Sequence, residues 1–237
     1  MLGVSTLENR RFLDIGCGSG LSSLAARRLG AVVRSFDYDA DSVSATEALR
    51  RRYRPSDTLW TIERGSALDD GYLARLGQWD VVYSWGVLHH TGEMERAISL
   101  AQSAVAPGGQ LFIAIYNDQG GASRRWLRIK RWYQQLPSPL KPLLVGAVAA
   151  WFELRYAAAR LLHGQNPLPF ADWRSKKRER GMSAWVDWVD WVGGYPFEVA
   201  TPERIIVPLV KSGFVLENLT TCGAGFGCNQ FVFRRAA

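Results

Sequence analysis

The chain has 237 residues and a net charge of +7. This length is enough to bury one sizeable α/β core. The hydrophobic content, 47% of the residues, is ordinary for a globular protein. Its three cysteines are odd in number and lack the spacing of a metal site, so no metal is expected and a reducing, cytoplasmic setting is predicted. No basic-then-apolar leader opens the sequence, so no signal peptide is expected.

A glycine-rich loop follows the first predicted strand. Residues 11–15 predict an apolar strand and residues 21–29 predict a helix, with Gly16, Gly18 and Gly20 between them. Such a loop lets backbone N–H groups approach a ligand that side chains would exclude. The dinucleotide-binding pattern requires a glycine where this chain has Leu21, which disfavours a dehydrogenase.

The second predicted strand, residues 31–36, ends at the acidic residue Asp37. A carboxylate about twenty residues past the glycines is expected to accept hydrogen bonds from both hydroxyls of a ribose. Asp39 and Asp41 are instead expected at the start of a helix over residues 42–53. Residues 61–66 predict the third strand.

The fourth predicted strand starts at Trp79 and is apolar, which is typical of a buried parallel strand. It runs into Gly-Val-Leu-His-His at 86–90, and a helix is predicted over 93–105. Pro-Gly-Gly at 107–109 predicts a turn into a fifth strand, residues 110–116. A helix over 202–212 and two strands, 214–222 and 229–235, joined by a glycine-rich turn predict a final hairpin.

These motifs resemble those of class I S-adenosylmethionine-dependent methyltransferases of the small-molecule type. The resemblance rests on Asp-Ile-Gly-Cys-Gly-Ser-Gly at 14–20, on Val-Leu-His-His at 87–90 and on Pro-Gly-Gly, and it covers residues 11–117 and 200–235. It implies a Rossmann-like, doubly wound sheet, mostly parallel with a C-terminal antiparallel hairpin. The implied cofactor is S-adenosyl-L-methionine and the product S-adenosyl-L-homocysteine.

The resemblance also implies which residues bind the cofactor. They lie in the glycine loop and after the second, third and fourth strands: Asp14, Gly16, Cys17, Gly18, Gly20, Asp37, Tyr38, Ser66, Ala67, Ser84 and Trp85. Many relatives carry an aspartate where this chain has Ser66, so the adenine contact could come from Ser66 or from Asp69 instead. The Asn/Asp-Pro-Pro-Tyr/Phe signature of base-amino methylation is absent from the end of strand four.

A hydroxyl acceptor must lose a proton, and a histidine is the natural general base near neutral pH. By resemblance to O-methyltransferases, His89 is the predicted catalytic base. His90 is expected to point elsewhere, with a structural or acceptor-binding role, and Tyr116 and Asn117 are predicted to face the acceptor. The alternative that both histidines only cap and pack stays open.

Residues 118–200 are too long for a loop and predict a helical cap inserted into a core of residues 1–117 and 201–237. Residues 119–180 carry 13 Lys/Arg against three Asp/Glu, and seven of the ten tryptophans lie in the insertion. Trp188, Trp191 and Tyr195 are predicted to bind the acceptor. A basic amphipathic helix at 124–133 permits peripheral membrane contact, although packing of cap helices is the favoured explanation.

The sequence therefore predicts S-adenosylmethionine-dependent methyl transfer to a small, hydrophobic or aromatic acceptor, with O-methylation favoured. Thiol or carbon methylation of a small or lipid-like substrate remains an alternative, as does a non-catalytic S-adenosylmethionine-binding protein. Nucleic acid is disfavoured as a partner because no recognised nucleic-acid module is visible. The oligomeric state is left open.

Overall fold

The computed structural model describes residues 3–168, 173, 183–223, 225 and 227–237. The chain divides into two compact units. We call the residues up to Gln119 together with Glu198–Ala237 the core unit, and Gly120–Phe197 the insert unit. The predicted cap also includes residues 169–172 and 174–182, which lie outside the described part of the chain.

In the described residues of the core unit, seven strands form one sheet in the order β3-β2-β1-β4-β5-β7-β6. The strands from β1 to β5 pair in parallel, whereas β7 pairs antiparallel with both β5 and β6. The predicted doubly wound sheet with its antiparallel hairpin is confirmed. The strands are β1 (Arg11–Ile15), β2 (Val32–Asp37), β3 (Trp60–Arg64), β4 (Trp79–Trp85), β5 (Val105–Tyr116), β6 (Phe214–Thr220) and β7 (Cys228–Arg235).

The helices of the core unit connect the parallel strands and precede the hairpin. They are α1 (Leu21–Arg28), α2 (Ala40–Tyr53), α3 (Asp70–Leu76), α4 (Met94–Ser103) and α8 (Pro202–Lys211), with a short 3-10 helix at Leu88–His90. Asp39 caps α2, because its carboxylate accepts hydrogen bonds from the backbone N–H groups of Asp41 and Ser42. The helix start predicted from these acidic residues is therefore confirmed.

One boundary differs from the prediction. Pro-Gly-Gly at 107–109 lies inside β5 and does not precede it, and the pairing with β4 shifts register there, from Trp79–Val105 to Val81–Gln110. Gly108 has a φ of 71°, which glycine adopts without strain. The tripeptide therefore makes a bulge in the strand. The predicted change of backbone direction at Pro-Gly-Gly is present, but the prediction that β5 starts after it was wrong.

The described part of the insert unit is helical: α5 (Gly121–Gln135), α6 (Lys141–Leu162) and α7 (Ala184–Gly193). Its centre is aromatic, since the Trp126 ring stacks 5.5 Å from Phe152 and meets Trp191 edge-on at 5.3 Å. Lys130 is also buried there, and its ammonium donates a hydrogen bond to the Trp191 carbonyl. Burial lowers the pKa of Lys130 to about 8, although Asp190 opposes the shift.

The two ends of the insertion lie side by side in the core unit. The backbone N–H of Ala200 donates to the Tyr116 carbonyl, and the N–H of Asp118 donates to the Ala200 carbonyl. The chain thus leaves the sheet after β5 and returns next to the point where it left. Within the described residues, no helix is long and apolar enough to cross a membrane.

Candidate active site

The order of the strands places the site. β1 and β4 are neighbours, the chain continues from β1 outward to β2 and β3, and from β4 it continues in the opposite direction to β5. Ligands of open α/β sheets bind outside the carboxyl ends of the strands at such a switch point. Here those ends lead into the glycine loop after β1 and into the segment 86–90 after β4.

The three glycines of the loop have different structural roles. A Cβ atom on Gly16 would come within 2.4 Å of the Val87 side chain, so Gly16 lets the loop after β4 pack closely against the loop after β1. A Cβ atom on Gly18 would meet nothing within 4 Å. The space beside Gly18 is therefore open, as required of backbone that a ligand approaches. Gly20 packs against Thr46, whose hydroxyl donates a 2.9 Å hydrogen bond to the Gly18 carbonyl.

Asp37 lies next to the same loop. Its carboxylate accepts a 2.9 Å hydrogen bond from the N–H of Gly18 and a 3.0 Å hydrogen bond from the N–H of Asp39. Each oxygen thus takes one backbone donor, and an ionised carboxylate has about four acceptor positions in all. Asp37 can therefore hold the loop and still accept from a diol, which fits the predicted ribose contact.

Asp14 is placed differently from the other predicted cofactor residues. It is buried beneath the loop and accepts a 2.5 Å hydrogen bond from the Ser23 hydroxyl, which also lies 2.6 Å from the Ser35 hydroxyl. The Trp60 indole donates to Ser35 at 2.8 Å and ends this chain of contacts. Burial raises the pKa of Asp14 to about 7, against the hydrogen bond from Ser23. Asp14 supports the loop from below.

Two more of the predicted cofactor residues point into the protein. Cys17 is buried, and burial raises the pKa of its thiol to about 12, so the group behaves as a small packing residue. The Ser84 hydroxyl is buried and donates to the Ile15 carbonyl at 3.0 Å, joining β4 to β1. Neither side chain has the exposure that a direct cofactor contact requires.

Three of the remaining predicted cofactor residues, Tyr38, Trp85 and Ser66, lie nearer the surface. Tyr38 and Trp85 are exposed at the ends of β2 and β4. The hydroxyl of Ser66, which is partly exposed, accepts a hydrogen bond from the Leu68 N–H, and the adjoining Ala67 is buried. Asp69, the alternative adenine contact, caps α3 by accepting from the Tyr72 N–H at 2.9 Å.

The two histidines after β4 are in contrasting positions. His89 is completely buried; its Nδ1 lies 3.4 Å from the donating N–H nitrogen of Tyr116, and its ring centroid lies 4.0 Å from that of Tyr116. Its carbonyl accepts from the Glu198 N–H at 3.0 Å. His90 and Tyr116 are partly exposed. A side chain without exposed surface cannot take a proton from a bound acceptor, so the buried position of His89 does not fit its predicted role as the base.

The predicted acceptor residues are divided between the two units: His90, Tyr116 and Asn117 belong to the core unit, and Trp188, Trp191 and Tyr195 belong to the insert unit. The Asn117 amide donates to the Gly223 carbonyl and accepts from the Asn229 amide, both at 3.0 Å, so it fastens the C-terminal hairpin. Trp191 and Trp188 pack inside the insert unit, the latter 5.6 Å from Phe152. Both residues are partly exposed, and Tyr195 is exposed. An acceptor cavity enclosed by the insert unit stays a prediction.

Several residues of the site were missed from the sequence. Thr46, Val87, Ser23 and Ser35 all shape or support the loop, but each does so through a contact distant in the chain. Only Ser35 carried a local signal, because it is a polar residue within an apolar strand. Among the residues that the structure describes, no group of three or more His, Cys, Asp or Glu side chains could hold a metal ion.

A family model described as a methyltransferase domain matches residues 3–144, more than half of the chain. The chain belongs to the methyltransferase-domain family. The resemblance to class I S-adenosylmethionine-dependent methyltransferases is thereby confirmed.

This methyltransferase-domain protein is 32% identical over 117 residues to a ubiquinone biosynthesis O-methyltransferase of Brucella melitensis, a match covering 47% of the chain and 43% of that relative. A ubiquinone biosynthesis O-methyltransferase of Cupriavidus pinatubonensis is 31% identical over 122 residues, which are 48% of the chain and 45% of the relative. The chain therefore matches less than half the length of these curated relatives.

Solved structures resemble the methyltransferase-domain protein over nearly its whole length. An S-adenosylmethionine-dependent methyltransferase from Mesorhizobium loti has a TM-score of 0.56 at 16% identity, covering 98% of this chain and 94% of the other. A magnesium protoporphyrin IX methyltransferase from Synechocystis, with bound S-adenosylhomocysteine, has a TM-score of 0.55 at 16% identity, covering 97% and 76%. At these identities the likeness shows a common fold.

Proposed function

We propose that this protein transfers the methyl group of S-adenosylmethionine to the oxygen of a small, hydrophobic or aromatic acceptor. The observation that carries the proposal is the pairing of the open glycine loop with the Asp37 carboxylate at the switch point of the sheet. Family membership supports the cofactor, and the O-methyltransferases among the relatives support oxygen as the acceptor atom.

The residues present fit the cofactor. Asp37 would accept from the ribose hydroxyls, and the backbone at Gly18 leaves room for close approach. α1 begins at Leu21 without a side-chain cap on its first turn, and a helix N-terminus favours a carboxylate such as that of an amino acid. Bound S-adenosylmethionine would supply an electrophilic methyl carbon on a sulfonium.

In such a reaction the protein would align the methyl donor with the acceptor, exclude water and accept one proton from the acceptor. A hydroxyl acceptor must lose its proton as its oxygen becomes a nucleophile. His90 would accept this proton, because the residue is partly exposed next to the end of β4. His89, packed against Tyr116, would hold the ends of β4 and β5 in register.

The decisive experiment combines binding with turnover. Calorimetry should show micromolar binding of S-adenosylmethionine and none of NAD. Mass spectrometry of S-adenosylhomocysteine should then detect turnover with phenols or polyprenyl-phenol compounds, in a panel that also contains thiols and small acids. Product from thiols alone would make the protein a thiol methyltransferase. Binding without turnover on any acceptor would favour the non-catalytic alternative, and no binding would overturn the proposal.

A further inference from the structure

α6 exposes a continuous apolar face. At 100° per residue the members of this face fall within an arc of about 120°, and they extend along about 30 Å of helix. Leu143, Leu154 and Leu161 lie within about 20° of one another around the helix axis, with 68%, 69% and 61% of their surface exposed. We call this face the α6 stripe; it consists of Leu143, Ala147, Ala150, Trp151, Leu154, Ala158, Leu161 and Leu162.

The stripe is not needed for the packing of the insert unit. The opposite side of α6 already contacts the other helices: Val145 is buried, and the Phe152 ring lies 5.5 Å from Trp126 of α5 and 5.6 Å from Trp188 of α7. α6 is thus apolar on two sides, and the contacts named here, among the residues that the structure describes, use one of them. A contiguous exposed apolar face of this length is a mark of an interaction surface.

The insert unit is rich in basic residues. Residues 120–197 contain 13 Lys/Arg and five Asp/Glu, a net +8, so the rest of the chain carries −1 of the total +7. Arg155 borders the stripe, with its guanidinium 6.0 Å from the centre of the Trp151 ring. Glu153, the acidic residue of α6, lies off the stripe and accepts a hydrogen bond from Trp173. Four more arginines are exposed on α5: Arg124, Arg125, Arg128 and Arg131.

We propose that the α6 stripe docks this protein on the surface of an anionic phospholipid bilayer, with α6 parallel to the membrane plane. The leucines and Trp151 would enter the boundary between headgroups and acyl chains, while Arg155 at the border of the stripe meets lipid phosphates and the net charge of the insert unit attracts it to the anionic surface. A second copy of the chain fits less well, because two insert units of +8 repel each other. Nucleic acid would leave the apolar face without a partner.

This proposal is independent of the proposed methyl transfer and can be tested without substrate. The full chain is mixed with vesicles of phosphatidylcholine alone or with 30–40% phosphatidylglycerol (about the anionic content that gives a strong surface potential) and then floated on a density gradient. We expect the protein to float with the anionic vesicles only, and the floated fraction to fall as salt rises.

Variants then distinguish binding through the α6 stripe from nonspecific adsorption to vesicles. Leu154→Glu and the double variant Leu154→Ala/Leu161→Ala should each lower partitioning by about tenfold or more, because buried leucines are lost from the membrane. Leu59→Glu changes a leucine of the core unit that is 48% exposed, and it should float like the wild type. Arg155→Glu, at the border of the stripe, should reduce flotation, whereas Arg51→Glu on α2 should not.

Each outcome of these experiments either supports or overturns the membrane proposal. Loss of flotation in the stripe variants, with unchanged circular dichroism and unchanged controls, supports the proposal. Three results overturn it: no flotation of the wild type, equal flotation with neutral vesicles, or loss in Leu59→Glu as great as in Leu154→Glu. Light scattering supplies one more test. A wild-type dimer that Leu154→Glu converts to a monomer, without any vesicle binding, would assign the stripe to a second copy of the chain.

Discussion

The backbone N–H of Gly18 donates a 2.9 Å hydrogen bond to the carboxylate of Asp37, so the loop after β1 and the acid after β2 form one structure. The loop is further anchored because the N–H groups of Gly16 and Cys17 both donate to the Phe36 carbonyl. A change at Asp37 therefore alters both the ribose acceptor and the position of the loop.

Asp37→Ala should weaken S-adenosylmethionine binding by about tenfold or more, the range expected for losing hydrogen bonds to a charged group. Isothermal titration calorimetry with S-adenosylhomocysteine measures this directly. Asp41→Ala removes an exposed carboxylate from the first turn of α2 and should bind as the wild type does. Equal affinities in the two variants would remove Asp37 from the site.

Substitution of two glycines of the loop should have opposite effects. Gly16→Ala forces a Cβ into the Val87 side chain, so it should lower thermal stability. Gly18→Val places its side chain in open space at a φ of 52°, so it should cost modest stability but obstruct the ligand. Melting curves with and without S-adenosylhomocysteine should show a reduced ligand-induced shift for Gly18→Val. A full shift in that variant would mean that the ligand does not approach Gly18.

Substitutions of the two histidines should affect different properties: turnover for His90 and stability for His89. His90→Ala should lower turnover of a hydroxyl acceptor by about 10²–10⁴-fold with little change in cofactor affinity, as loss of a general base does. His89→Ala should instead lower the melting temperature, because it empties a buried position that contacts Tyr116. Initial rates and melting temperatures are measured for both variants. A stable His89→Ala protein with the larger loss of turnover would restore His89 as the base.

Asp14 makes stability depend on pH. Its pKa rises from about 4 in an unfolded chain to about 7 in the fold, so between these values the native state keeps a proton that the unfolded state releases. This stabilisation is complete below about pH 4 and is lost as the pH rises through 7, by about 1.4 kcal/mol per unit at most. Asp14→Asn should remove the slope. Urea unfolding of both proteins at pH 5, 6, 7 and 8 checks it, and parallel curves would contradict it.

The order of elements was predictable because each one has a local signature. Apolar runs bounded by glycine predicted β1 and β2 to within one residue and the start of β4 at Trp79, and the acids at 39 and 41 predicted the start of α2. The glycine spacing and Asp37 predicted the cofactor loop for the same reason. Strand order and the position of the loops at the sheet edge follow from the right-handed crossovers of parallel strands.

Side-chain direction was not predictable. His89 and His90 are neighbours in the chain, yet one is buried and the other partly exposed, since the short 3-10 helix turns them to different sides. Asn117 was expected to face an acceptor, but the hairpin at Gly223 and Asn229 takes both ends of its amide. Each outcome depends on residues distant in sequence, which periodicity does not report.

The sequence by itself determined the family, the sheet and the glycine-rich loop after β1, because backbone conformation at glycines and the alternation of strands with helices are local properties. Only the tertiary structure decided which face of each element is covered. It buried Asp14 and His89, turned Trp188 and Trp191 into the insert unit, and left the α6 stripe exposed. The physical reason is that burial depends on what packs against a residue, and those partners are brought together by the fold.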